Sequence, residues 1–361
     1  MPGSAVTPSP ALRIGYVPLT DAAPLIVADA LGLFAEHGAR VVLSPERAWA
    51  ALRDKLAFGA LDGAQLPAPM AVALAAGAGG LRRRLDVTLG LGRNGNTVVL
   101  SHMLAAATGR FTPPLAAAAF AAAVHARAEE GLPPPTLAVV FPHSSHNYLL
   151  RQWLAAGGLD PDHDLRLVVV PPPQMARALA EGAIEGFCAG EPWGSHAVAQ
   201  GAGRHALSTG DIWPDHPEKV LAFAEGLAAR APDAVIAATA AVIAAQRWLG
   251  DPANRAAAVA LLVGRAFPHL APDTVAAALQ GEVAAPPGGT PQRLAAPLGF
   301  DAGAPPSADA ALRWADAMRR WGHLPAGVAE DVLRAPWRQD LWQRAAAHPA
   351  TAPAAPKEPP A

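Results

Sequence analysis

Four short segments carry the side chains whose chemistry stands out. His216-Pro217-Glu218-Lys219 holds one of only three lysines in the chain, the others being Lys55 and Lys357. Basic positions are otherwise arginine, so a retained lysine points to a use for a compact point charge that the planar guanidinium does not offer. Read as the opening of a helical run from Glu218 to Leu262, the segment gives Glu218 a favourable place at the positive end of the helix dipole and Lys219 an unfavourable one. A local rule broken in this way marks a functional position. A solvated surface lysine is the plain alternative.

The second segment, His143-Ser144-Ser145-His146-Asn147, follows the apolar run TLAVVF and opens a helix capped by Ser144 or Ser145. Unpaired N–H groups and the positive dipole end suit such a start to an anion. A capped surface helix with two solvated histidines explains the same residues. The third segment, Pro171-Pro172-Pro173-Gln174-Met175, is stiff and short of N–H donors; it reads as a rigid loop and, lying beyond a strand, as a candidate cleft wall. The fourth, Gly190-Glu191-Pro192-Trp193, is an ordinary helix start. A glutamate would repel an anion, so Glu191 and Trp193 are assigned support rather than contact. Enzyme signatures are missing: there is no GxSxG, P-loop, GxGxxG after a strand, or HExxH, and the remaining histidines lack metal spacing. The chain therefore reads as a binding protein, with no catalytic residue, cofactor or metal.

The elements that must position these segments alternate. LRIGY, VVL, DVTLGLG and TVVLS read as strands, with helices over Asp21 to Phe34, Pro45 to Phe58 and Pro67 to Ala76 and the turn Arg93-Asn94-Gly95-Asn96 between the last two strands. A second set follows an Ala-rich helix from Leu115 to Glu130: strand TLAVVF, helix Ser144 to Ala156, strand LRLVVV, helix Gln174 to Glu181, strand IEGFCAG. Beyond Gly203 the pattern becomes mostly helical. Two βαβ sets followed by helices predict an α/β, two-lobed fold with a ligand cleft between the lobes, at the carboxyl ends of the strands. The expected division is residues 12–96 as the first part of lobe one, 97–205 as lobe two, 206–345 as the return to lobe one with the C-terminal helices, and 348–361 as a disordered tail.

Composition supports that architecture. In 361 residues, 52% are hydrophobic and 16% charged, enough apolar material for two cores and too much for global disorder. A net charge of −2 excludes the basic footprint of a direct nucleic-acid binder. The apolar stretches are broken by Arg, Gly or Pro, which predicts no membrane span. The one cysteine, Cys188, rules out an internal disulfide and reads as a buried strand residue. The first residues, MPGSAVTPSPALRIGY, show no basic, apolar and small-residue succession of a secretory signal, which predicts a cytoplasmic protein.

Taken in order, these pieces resemble the nitrate- and bicarbonate-binding proteins of bacterial ABC transporters, the NrtA/CmpA type. LRIGYVPLTDAAPLIVADALGLFAEHG is similar to the family's first unit; AAGGLDPD, VVPPPQM, FCAGEPW and HPEK in succession are more specific. The resemblance covers roughly Leu12 to Trp342. It implies a periplasmic-binding-protein-like (type II) fold closing on a planar oxyanion. His146 and Lys219 match its ligand-binding histidine and lysine, and Pro172 a cleft position. Asn96 stands near a glutamine that donates to nitrate, and Leu66 stands where transporters use a tryptophan after the equivalent of Gln65. A lysine in place of an acidic, calcium-recruiting residue implies a metal-free monoanion site, with Lys219, the His146 imidazolium, Asn96 and backbone N–H groups as donors. Members without an export signal resemble the cytoplasmic nitrate/nitrite sensor NasS, whose partner NasT is an antiterminator with an RNA-binding ANTAR domain. The expected function is such a sensor. The alternatives are a transport receptor for nitrate, nitrite or, less favoured, bicarbonate, and an enzyme or thiamine-precursor binder on the same broad fold.

Overall fold

The computed structural model describes residues 11–300 and 303–350. The expected tail falls outside these residues from 351 onward, as do residues 1–10 of the stretch read for an export signal. Ten strands build two five-stranded mixed sheets. The first contains β1 (Leu12–Tyr16), β2 (Val41–Pro45), β3 (Gly63–Pro67), β4 (Leu85–Arg93) and β10 (Pro217–Ala224), in the order β2-β1-β3-β10-β4. The second contains β5 (Asn96–Leu100), β6 (Thr136–Val139), β7 (Arg166–Val169), β8 (Gly186–Gly190) and β9 (Arg204–Ser208), in the order β7-β6-β8-β5-β9. Parallel pairs β1–β2, β1–β3, β6–β7 and β6–β8 come from βαβ units, while β10 and β5 run antiparallel to their neighbours.

The chain crosses between sheets twice. The first crossing is the turn between β4 and β5, where Asn94 and Gly95 adopt φ of 55° and 91°, a region open to asparagine and glycine at little cost. The second runs from β9 to β10 and includes Asp215 at φ 57°. The two crossings touch: Asn94 N donates to His216 O at 3.1 Å. Helices cover the outer faces. Pro232–Gly250 and Ala23–Ala30 pack on the first sheet, and Ser145–Ala156 and Ala117–Glu129 on the second. The Ala-rich helix is not loosely attached, since Phe120 is fully buried with its ring centre 4.9 Å from that of Trp153.

The run from Glu218 is a strand, which corrects the expected helix. Pro217–Ala224 lies in the middle of the first sheet, bonded to β3 on one side and β4 on the other. Both faces of the sheet are covered, so VLAFA shows no alternation of apolar and polar residues, and without alternation it imitates a buried helix segment. Lys219 therefore opposes no helix dipole. Its peculiarity is a charge at 0% exposure in a central strand.

Lobe two is closely packed where helix Trp193–Ala199 crosses β5. A Cβ at Gly194 would lie 1.8 Å from Thr97 Oγ1 and 3.2 Å from Glu191 Oε1. Gly194→Ala is expected to cost about 1–3 kcal/mol of stability, as other overpacked sites do. Urea denaturation gives the value, and an unchanged midpoint would mean that the helix shifts freely.

Candidate anion site

Lobe one supplies side chains to a charged cluster from four separate segments. The loop after β1 enters a 3-10 turn, Thr20–Ala22, which places Asp21. Gln65 on β3 donates through Nε2 to Asp21 Oδ1 at 2.6 Å, and its Oε1 accepts from Val17 N at 3.2 Å. On β10, Lys219 Nζ stands 2.8 Å from Asp21 Oδ2, an ion pair lying off the line of a directed hydrogen bond, and donates to Glu218 Oε1 at 2.5 Å. Trp49 opens the helix after β2, with its ring centre 5.4 Å from that ammonium.

Lobe two closes over this group from the other side. Ser144 caps helix Ser145–Ala156, accepting from Asn147 N. The next residue, Ser145, donates its hydroxyl to Glu218 Oε1 at 2.5 Å. Asn96, first residue of β5, donates Nδ2 to Glu218 Oε2 at 2.8 Å. His216, in the second crossing, holds Nδ1 3.3 Å from the same oxygen, and its Nε2 meets Thr209 Oγ1 at 2.8 Å. The lobes also join through backbone and indole: Thr20 N donates to Glu191 O at 2.7 Å, and Trp193 Nε1 to Pro18 O at 3.0 Å.

Every charged or polar side chain of the cluster is at most 2% exposed. Burial at this depth disfavours charge, so each ionised group must be held by another. Burial lowers the affinity of Lys219 for its proton, but Asp21 and Glu218 outweigh it and raise the pKa. Burial pushes Glu218 up, yet Lys219, His146 and His216 together hold it at about 2. Asp21 is raised, burial prevailing over Lys219. His146 is lowered to about 3, by burial first and then by Lys219. Without a bound anion the ring is therefore neutral and donates from one nitrogen only. Neither of its nitrogens has a hydrogen-bond partner, nor do Thr20 Oγ1, Trp49 Nε1 and Asn96 Oδ1. Orphaned polar atoms buried in protein cost about 1–3 kcal/mol each and call for a reason.

The expected site residues separate. Lys219, His146 and Asn96 come together. Leu66 does not join them: it pairs with Val220 on the face of β3 opposite Gln65 and packs in the core. Alternation along a strand puts Gln65 into the site and its neighbour out. Pro172 is buried in the 3-10 turn Pro172–Gln174 after β7, while Gln174 is exposed and outside the cluster. Glu191 lies beneath the seam, its Oε2 accepting from Ser195 N at 3.1 Å. Sequence reasoning missed Asp21, Gln65, Ser145 and the contact role of Glu218. Asp21 and Glu218 look like helix-start acids until the strand and the ion pairs are seen. Among the described residues, no group of three or more His, Cys, Asp or Glu could hold a metal ion, and no helix is long and apolar enough to cross a membrane.

A model of the NMT1-like family matches residues 5–263. The nitrate/nitrite binding protein NrtA of Synechococcus elongatus is 32% identical over 369 residues, spanning 95% of this chain and 82% of that protein. The chain belongs to the NMT1-like family, among its NrtA/CmpA-type binding proteins. The family's fold follows: the crystal structure of the periplasmic nitrate-binding protein NrtA from Synechocystis PCC 6803 aligns with a TM-score of 0.85 at 30% identity, covering 93% of this chain and 88% of that one. Another family relative, the nitrate import ATP-binding protein NrtC of Synechocystis, is 41% identical over 246 residues. That match takes in 68% of this chain and only 36% of NrtC's own length. The NrtA relatives are binding proteins rather than enzymes.

Proposed function

We propose that this chain is the ligand-binding component of a transport system for a small planar oxyanion, nitrate or nitrite, held in the interlobe cleft. The observation that carries this reading is His146: a fully buried ring with both nitrogens unpartnered, beside the buried Lys219 ammonium, at the junction of two lobes. Lys219, the neutral His146 ring, Gln65 and Asn96 offer a planar monoanion converging donors, Trp49 contributes a free indole N–H, and Glu191 and Trp193 hold the seam behind them. Because the donors are sealed, a ligand reaches them only when the lobes part, and it then favours the closed form by its differential affinity.

The NrtA and NrtC relatives, named for nitrate binding and import, favour the transport component over the cytoplasmic sensor. The sensor and its NasT-like ANTAR-domain antiterminator partner rested on the reading of the N-terminus, and the cytoplasmic location has no support beside a periplasmic relative. Titration calorimetry with nitrate, nitrite, bicarbonate and sulfate, each with and without calcium, tests the ligand. Binding of nitrate or nitrite without calcium is expected. Binding of bicarbonate alone, or a requirement for calcium, would overturn the assignment.

A further inference from the structure

Glu218 has no evident place in an anion receptor. A carboxylate in the middle of the donor set repels the ligand the set would bind. Yet it makes more contacts there than any neighbour. Oε1 accepts from Ser145 Oγ and Lys219 Nζ, both at 2.5 Å, and Oε2 accepts from Asn96 Nδ2 at 2.8 Å and stands 3.3 Å from His216 Nδ1. Each oxygen thus meets two polar groups in a site sealed from water. A carboxylate and a nitrate share a planar arrangement of oxygens on a trigonal centre, and both accept hydrogen bonds in that plane.

The donors also come from different parts of the fold. Glu218 rises from β10 of the first sheet, whereas Asn96 opens β5 of the second and Ser145 opens the helix that packs on the second sheet. The carboxylate therefore spans the lobes in the way a bridging anion would. On the receptor reading above, we propose that Glu218 is a built-in stand-in for the ligand: its carboxylate takes the oxyanion's donors, holds the empty lobes together, and must swing aside for an oxyanion to bind. Glu218 then sets affinity, because the anion gains only the difference between its own contacts and those the carboxylate gives up.

The latch is read without any ligand. Cysteines introduced at the exposed positions Val42, on the first sheet, and Leu132, ahead of β6 on the second, take spin labels, while the fully buried Cys188 does not. In the ligand-free protein the distances are expected to be short, and in Glu218→Gln to shift toward longer values. Unchanged distances would overturn the latch. Formate added to Glu218→Ala supplies a planar carboxylate to the same donors and should shorten the distances again, with no effect on the parent protein; a Glu218→Ala protein indifferent to formate would also overturn the proposal. If Glu218→Ala does not fold, the Gln variant decides alone. In calorimetry Glu218→Gln is expected to bind nitrate about tenfold tighter, and weaker binding would sink the competition. Nitrate binding to neither protein would instead fail the receptor reading, leaving the label distances to decide the latch.

Discussion

Lys219→Met is expected to abolish measurable anion binding and to destabilise the protein by about 3–5 kcal/mol at neutral pH, the usual cost of removing one partner from a buried charge group. The ammonium is fully buried and faces Asp21 at 2.8 Å and Glu218 at 2.5 Å. Its removal leaves two carboxylates together without a counter-ion. The loss should depend on pH in a definite direction. Glu218 has a folded pKa of about 2 against an ordinary 4.5, so its contribution to stability is present above about 4.5 and disappears as pH falls through 2. Without Lys219, the strongest of the groups that hold the carboxylate low, most of that contribution is lost. The gap between parent and variant should therefore be widest near neutrality and narrow below about pH 4. Denaturant titrations at several pH values measure it. A gap that does not change with pH would show that packing of the lysine stem, not its charge, is what matters. Charge reversal, Lys219→Glu, would set three carboxylates against one another and confound loss of binding with loss of fold.

How far the sequence spoke for this site depended on what each residue type can reveal in one dimension. The βαβ alternation, the Ser144 cap and the buried Cys188 follow from local propensity and periodicity, and those are local facts. Lys219 was conspicuous because lysine is rare here, yet the reason offered for it, a cation at a helix start, was wrong. A strand buried on both faces hides its period, and only the pairing of β10 with β3 and β4 reveals it. Leu66 was chosen by likeness to relatives, while the pleat turns Gln65 inward instead. Gln174 was chosen from its loop and proves exposed. Asp21, Ser145 and Glu218 could not be singled out, because their roles arise between residues distant in sequence: Glu218 meets Ser145 across 73 positions and Asn96 across 122. Two lobes that each look complete give no local sign of what they place face to face.

The seam beneath the site yields the second large effect. Glu191→Gln is expected to stabilise the protein by up to about 3 kcal/mol at pH 8 and to change nothing near pH 4. Burial raises the Glu191 carboxyl from 4.5 to about 7, against weaker opposing contributions from Ser195 and Thr97. The sign follows from linkage. Between pH 4.5 and about 7 the unfolded chain ionises at this position while the folded chain keeps its proton, so native stability falls as pH rises through that window and levels off above it. Glutamine has no proton to lose and escapes the fall. It also fits the surroundings: its carbonyl can accept from Ser195 N, now bonded at 3.1 Å, and its amide can donate to the neighbouring Thr97 Oγ1. The backbone carbonyl of Glu191 receives Thr20 N across the lobes, so the residue sits directly at the seam. Stability curves for the two proteins that run parallel from pH 4 to pH 8 would show that Glu191 is already ionised, or already neutral, throughout.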